Sequence, residues 1–87
     1  MEKILIIDDS PVQANFLSSI LAPDYTVTVV NTAEAGLEQA KKEDYSLILL
    51  DVIMPGIDGF QLLKMLQEEV VPSHTPVILI NRLNDIQ

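Results

Sequence analysis

Two apolar runs in the sequence end in acid. Ile4-Leu5-Ile6-Ile7 leads into Asp8-Asp9, and Leu47-Ile48-Leu49-Leu50 leads into Asp51. If the two runs are neighbouring parallel strands, three carboxylates meet at one end of a sheet. Carboxylates placed together repel one another strongly unless a cation sits among them. The pattern therefore predicts a divalent-metal site in which one carboxylate acts as a nucleophile. Mg²⁺ suits such a site, because it prefers hard oxygen ligands and keeps several waters, so one or two direct carboxylates suffice. We assign Asp9 and Asp51 as direct ligands, Asp8 as a ligand acting through water, and the backbone carbonyl of Ile53 as a further oxygen. Asp51 is the candidate nucleophile, because a turn-rich segment follows it and is expected to leave its outer face open. A carboxylate can attack a phosphoryl group and hold it as an acyl phosphate. Metal is needed because one anion must approach another.

The elements that must position these acids can be read along the chain. Residues 3–7 form a continuous β-branched and leucine run without alternation, the mark of a strand buried on both faces. Ser10-Pro11-Val12-Gln13 predicts a helix start, with Ser10 as N-cap, Pro11 at the first helical position and Gln13 completing a capping box. Val12, Phe16, Leu17, Ile20 and Leu21 recur at helical spacing and predict one apolar face. Pro23-Asp24 ends that helix. Tyr25 to Val30 predicts a second strand, and its Thr/Val alternation places it near a sheet edge with one side exposed. Asn31 and Thr32 offer a cap for a helix over 33–42, with Lys41 and Lys42 suiting the dipole of its last turn. Tyr45 to Leu50 predicts a third strand.

Met54 to Gly59 reads as a turn-rich loop shaped by Met54 and Pro55. Asp58 caps a third helix over 59–69, whose expected inner face is Phe60, Leu63, Leu66 and Val70. Pro76 to Ile80 predicts a fourth strand. His74, in its Pro-flanked connector, and the Glu43-Asp44 and Glu68-Glu69 pairs read as solvated. The order β-α-β-α-β-α-β predicts a parallel sheet with helices on both faces and right-handed crossovers. Ligands of such sheets bind beyond the carboxyl ends of the strands, where both acidic clusters fall.

Composition narrows the function classes. Eighty-seven residues make one domain at most. Hydrophobic residues make up 48%, enough for a core. The longest apolar runs fall far short of a membrane span of about 20 residues. Met1-Glu2-Lys3 runs directly into the first strand, so no signal peptide is expected, and there is no cysteine, which excludes disulfides and thiolate metal sites. A cytoplasmic protein is expected. The net charge of −8 argues against direct nucleic-acid binding, which relies on Lys and Arg neutralising phosphates. Neither G-x-x-x-x-G-K-[ST] nor G-x-G-x-x-G occurs, so nucleotide-binding loops are absent.

The segments ILIIDDSP, LILLDVIMPGIDGF and TPVILI, in this order and spacing, resemble the response-regulator receiver domain. The resemblance covers nearly the whole chain and about the first two-thirds of the usual family domain. It implies a flavodoxin-like, doubly wound parallel sheet of strand order 2-1-3-4-5, here truncated to four strands (2-1-3-4) and three helices. It implies that Asp51 accepts phosphate from a sensor histidine kinase or phosphotransfer protein. It also implies Mg²⁺ at Asp8, Asp9, Asp51 and the Ile53 carbonyl. The family carries Ser or Thr at the end of strand four, where this chain has Asn81, whose amide can donate a hydrogen bond. Arg82 follows, with a guanidinium able to pair with phosphate. The family's lysine on strand five has no counterpart before Gln87.

The whole chain, 1–87, is thus expected to be an incomplete receiver domain whose exposed strand-four edge invites homodimer formation. The alternative is a degenerate pseudo-receiver, an interaction or dimerisation module without phospho-switching. A metal-dependent phosphohydrolase is not expected. Such enzymes commonly place an acid two residues after the nucleophile, where this chain has Ile53.

Overall fold

Side-chain runs with no polar face have nothing to offer water, so both apolar runs are driven to the middle of a sheet. The computed structural model describes residues 1–72 and 74–80. Its elements are β1 (Lys3–Ile7), α1 (Pro11–Leu21), β2 (Thr26–Val30), α2 (Ala33–Lys42), β3 (Leu47–Asp51), β4 (Ile53–Met54), β5 (Ile57–Asp58), α3 (Gly59–Met65), a π-helical turn (Leu66–Val70) and β6 (Val77–Ile80). The main sheet is parallel with order β2-β1-β3-β6, so the two runs are its central strands. This is the expected flavodoxin-like 2-1-3-4 order, with β6 as the fourth strand. β6 pairs with β3, and among the described residues no strand pairs with its other edge.

The sheet divides the core in two. Leu5, Ile7, Ile48 and Leu50 pack on one face with Ala40 of α2, Met54, Leu62 and Leu66. Ile4, Ile6 and Leu49 pack on the other face with Ala14 of α1, flanked by the partly buried Leu17 and Leu21. β2 lies at the edge as expected, but its alternation does not divide inside from outside. Val27 and Val30 pack against opposite core clusters, while Val29 is exposed. Tyr45 precedes β3 instead of opening it. Its ring is buried, and its hydroxyl donates to Gln39 Oε1 at 2.9 Å.

Each helix buries part of its expected face and exposes the rest. In α1 the inward residues are Ala14, Leu17 and Leu21, whereas Val12, Phe16 and Ile20 form an exposed stripe. The expected face combines two stripes, and small Ala14 lets the helix approach the sheet along only one of them. In α3 and the π-helical turn Leu62 and Leu66 are fully buried, Leu63 and Val70 pack against the core as expected, and Phe60 is 60% exposed. Gly59 sets this phase. A Cβ there would lie 2.6 Å from the Val52 carbonyl oxygen and 2.7 Å from the Val52 Cα, so the glycine face must point inward. The expected turn-rich loop is a small antiparallel hairpin, β4 against β5, turning at Gly56 with φ of 86°. Met54 of that hairpin belongs to the core.

Glu43 is more than a solvated acid. Its Oε1 lies 2.8 Å from Lys3 Nζ. The hydrogen bond and charge of Lys3 hold the Glu43 carboxyl below its ordinary range, and Glu43 in turn raises the Lys3 ammonium. The pair therefore stabilises the fold between the two titrations. Its effect is lost as pH falls through the lowered Glu43 value, or as pH rises through the raised Lys3 value. The side chains are 46% and 42% exposed, so water and salt screen the pair. Lys3→Met is expected to leave the urea midpoint at neutral pH almost unchanged. Its one signature is a slightly shallower loss of stability on the acid side.

Candidate metal centre

The sheet register builds the centre. Ile7 stands opposite Leu50, and one further step sets Asp8 beside Asp51. Side chains alternate along a strand. Ile4 and Ile6 face α1, so Asp8 does too, and Leu49 facing α1 puts Asp51 on the same side. Main-chain bonds tie both strand ends into the sheet. Asp8 N donates to the Val30 carbonyl at 3.0 Å, and Val52 N donates to the Ile80 carbonyl at 3.1 Å.

As expected, Asp8, Asp9 and Asp51 converge. One carboxylate oxygen from each lies within 4.8 Å of the others. Asp8 and Asp51 are 1% and 0% exposed, and Asp9 is half-buried. Asp51 Oδ1 accepts the Ile53 amide at 3.1 Å, so Ile53 contributes its N–H to the position of Asp51. The donor set consists of hard oxygens with no histidine or cysteine, which fits Mg²⁺ and not a soft metal.

Two features depart from expectation. Asp51 has no open outer face: it is fully buried, and the segment after it is a hairpin and not an open turn. The capping box also takes another form. Gln13 N donates to Ser10 Oγ at 3.3 Å, as an N-cap requires. The Gln13 side chain, however, does not return to Ser10. Its Nε2 donates to Asp8 Oδ2 at 2.6 Å, and Ser10 N donates to Asp8 Oδ1 at 2.9 Å. A buried carboxylate is a stronger acceptor than a neutral group, so it captures both donors. The helix-start pattern contained Gln13 but did not reveal this role.

Asp58 is a helix cap as expected, its Oδ1 accepting from Phe60 N at 2.9 Å. His74 is exposed. It neighbours Tyr45 and Ser46, which precede β3, and so lies at the opposite end of the sheet from the acids. Asn81 and Arg82 fall outside the described residues.

The Gly59 contact gives a test of this packing. Because the obstructing atoms are backbone, Gly59→Ala must displace either the start of α3 or Val52, the neighbour of Asp51. We expect a loss of about 1–3 kcal/mol in urea unfolding, the usual cost of overpacking.

Residues 4–87 match the sequence profile of the family described as the response regulator receiver domain. The chain belongs to this family. Among curated relatives, the 3',5'-cyclic-nucleotide phosphodiesterase regA of Dictyostelium discoideum is 40% identical over 82 residues. That match covers 91% of this chain and 10% of regA. A protein-glutamate methylesterase/protein-glutamine glutaminase of Syntrophus aciditrophicus is 41% identical, and the match covers 93% of this chain and 23% of that protein. The receiver thus corresponds to a small part of these relatives, whose enzyme names describe much longer proteins. Among solved structures, the response regulator TrrA of Thermotoga maritima, in complex with Mg²⁺-BeF, superposes with a TM-score of 0.84 at 27% identity. The superposition covers 93% of this chain and 70% of TrrA. The receiver is therefore a two-component signalling domain, and no described helix is long and apolar enough to cross a membrane.

Proposed function

We propose that this receiver accepts a phosphoryl group on Asp51 from a sensor histidine kinase or phosphotransfer protein, with Mg²⁺ held by Asp8, Asp9, Asp51 and the Ile53 carbonyl. The observation that carries the proposal is the convergence of Asp51 with the Asp8-Asp9 pair, 42 residues before it along the chain, within 4.8 Å at one sheet end. The similar receiver TrrA, solved in complex with Mg²⁺-BeF and in complex with the histidine kinase ThkA, supports the choice of ion and of donor.

Mg²⁺, when bound, offsets the repulsion between the carboxylates and an incoming phosphoryl group. The residues of the chain do the rest. Ile53 N–H fixes Asp51 Oδ1 and so orients the carboxylate. In the transfer an O–P bond forms at Asp51 while the N–P bond of a donor phosphohistidine breaks, and the imidazole leaves with the electron pair. Asp51 is covered, so the groups over it must draw aside for the donor to reach it. The added charge then biases this end of the molecule between two states. The acidic balance of the chain fits a partner that is protein and not nucleic acid.

The test uses acetyl phosphate as the donor and intact mass as the readout. The expected result is the gain of one phosphoryl group with Mg²⁺ and no gain in EDTA. No gain with Mg²⁺, or equal gains in both, would overturn the proposal and favour an interaction module that does not switch.

A further inference from the structure

We infer that Gln13 is a positioning residue of the metal centre: its side-chain amide holds the Asp8 carboxylate in place and thereby sets the affinity for divalent cations. This rests on the reading of the acid cluster as a Mg²⁺ site. Asp8 is 1% exposed, so its orientation is decided by the protein and not by water. Each of its oxygens has a donor, Ser10 N at 2.9 Å on Oδ1 and Gln13 Nε2 at 2.6 Å on Oδ2. The first is main chain and survives any side-chain change at that position. The second exists only because residue 13 carries an amide of the right length in the first turn of α1.

An ionised carboxylate offers about four acceptor positions. Two are taken by these donors, and the remaining capacity suits hydrogen bonds from waters on the ion. That is the part given to Asp8, which adds charge without binding directly. Without the Gln13 amide, Asp8 would be held on one side only. Asp9 and Asp51 each bring an oxygen within 4.8 Å, and their repulsion would turn it away from the centre. The short contact is charge-assisted and not readily replaced by another group.

The experiment is a calorimetric titration with Mg²⁺ of the wild type, Gln13→Met, Asp8→Asn and the double variant. Gln13→Met keeps the length of the side chain and removes its donor, while the Ser10 cap remains. Groups that orient a metal-binding residue typically contribute about 10–100-fold in metal affinity. Because Asp8 acts through water, we expect the lower end, about tenfold weaker binding. In the Asp8→Asn background the same substitution is expected to change nothing further, since Gln13 acts through Asp8. Gln13→Ala serves as a second variant with the same expected pattern.

Equal or tighter binding by Gln13→Met would overturn this inference while leaving the metal site standing. So would equal weakening in both backgrounds, which would mark a general loosening of α1. Absence of Mg²⁺ binding by the wild type would overturn the metal site and the inference together.

Discussion

Asp51→Asn is expected to abolish phosphoryl uptake completely and, in the absence of metal, to make the chain more stable. The two effects have one origin. Asp51 is fully buried, with an oxygen of Asp8 and one of Asp9 within 4.8 Å. Two unit charges about 4 Å apart repel by up to about 4 kcal/mol at an effective dielectric near 20. The fold carries part of that repulsion whenever no cation is present. The amide removes one charge and keeps the shape, and its oxygen can still accept the Ile53 N–H. A gain of about 1–2 kcal/mol in EDTA is expected, less than the full pair repulsion because the carboxylates relax away from one another. Mg²⁺ should reverse the order. The wild type gains stability in proportion to the logarithm of ion concentration above its dissociation constant, and the variant gains little. Urea unfolding in EDTA and in Mg²⁺ reads both effects. Equal stability of the two proteins under both conditions would mean that the acids do not form one electrostatic unit.

The second large effect is in the core. Leu62→Ala should cost about 2–5 kcal/mol, because it removes a fully buried side chain where α3 meets β1 and β3. A domain of this length has only about 4–13 kcal/mol in total, so the variant should be partly unfolded near physiological temperature. Phe60→Ala removes a larger side chain and should change stability by no more than about 0.5 kcal/mol, because Phe60 is 60% exposed. Paired urea curves decide the matter. A larger loss at Phe60 than at Leu62 would mean that α3 is turned to the wrong phase.

That pair of residues shows where the sequence speaks and where it does not. The two apolar runs had no polar side, which left the sheet centre as their only place. Their pairing then brought Asp8 and Asp9 to Asp51 whatever the helices did. Helix phase was harder to read. Both α1 and α3 carry more large apolar residues than the sheet can cover, so hydrophobic spacing alone offered two answers. The choice was made by Ala14 and Gly59, small residues that permit close approach and add almost nothing to an apolar pattern. The hairpin after Asp51 was not legible for a related reason. Met54-Pro55-Gly56 reads as an open turn, yet burial of Met54 folds it into a hairpin. Gln13 was visible as a helix-start residue, but its partner depended on a carboxylate being buried within reach.

The most direct test locates the phosphoryl group. After reaction with acetyl phosphate and Mg²⁺, the chain is cleaved and its peptides are weighed. The expected result is a single phosphoryl group on the peptide containing Asp51, removed by hydroxylamine as an acyl phosphate should be. A phosphoryl group on Asp9, on His74 or on a serine or threonine, or none on any peptide, would contradict the assignment of Asp51.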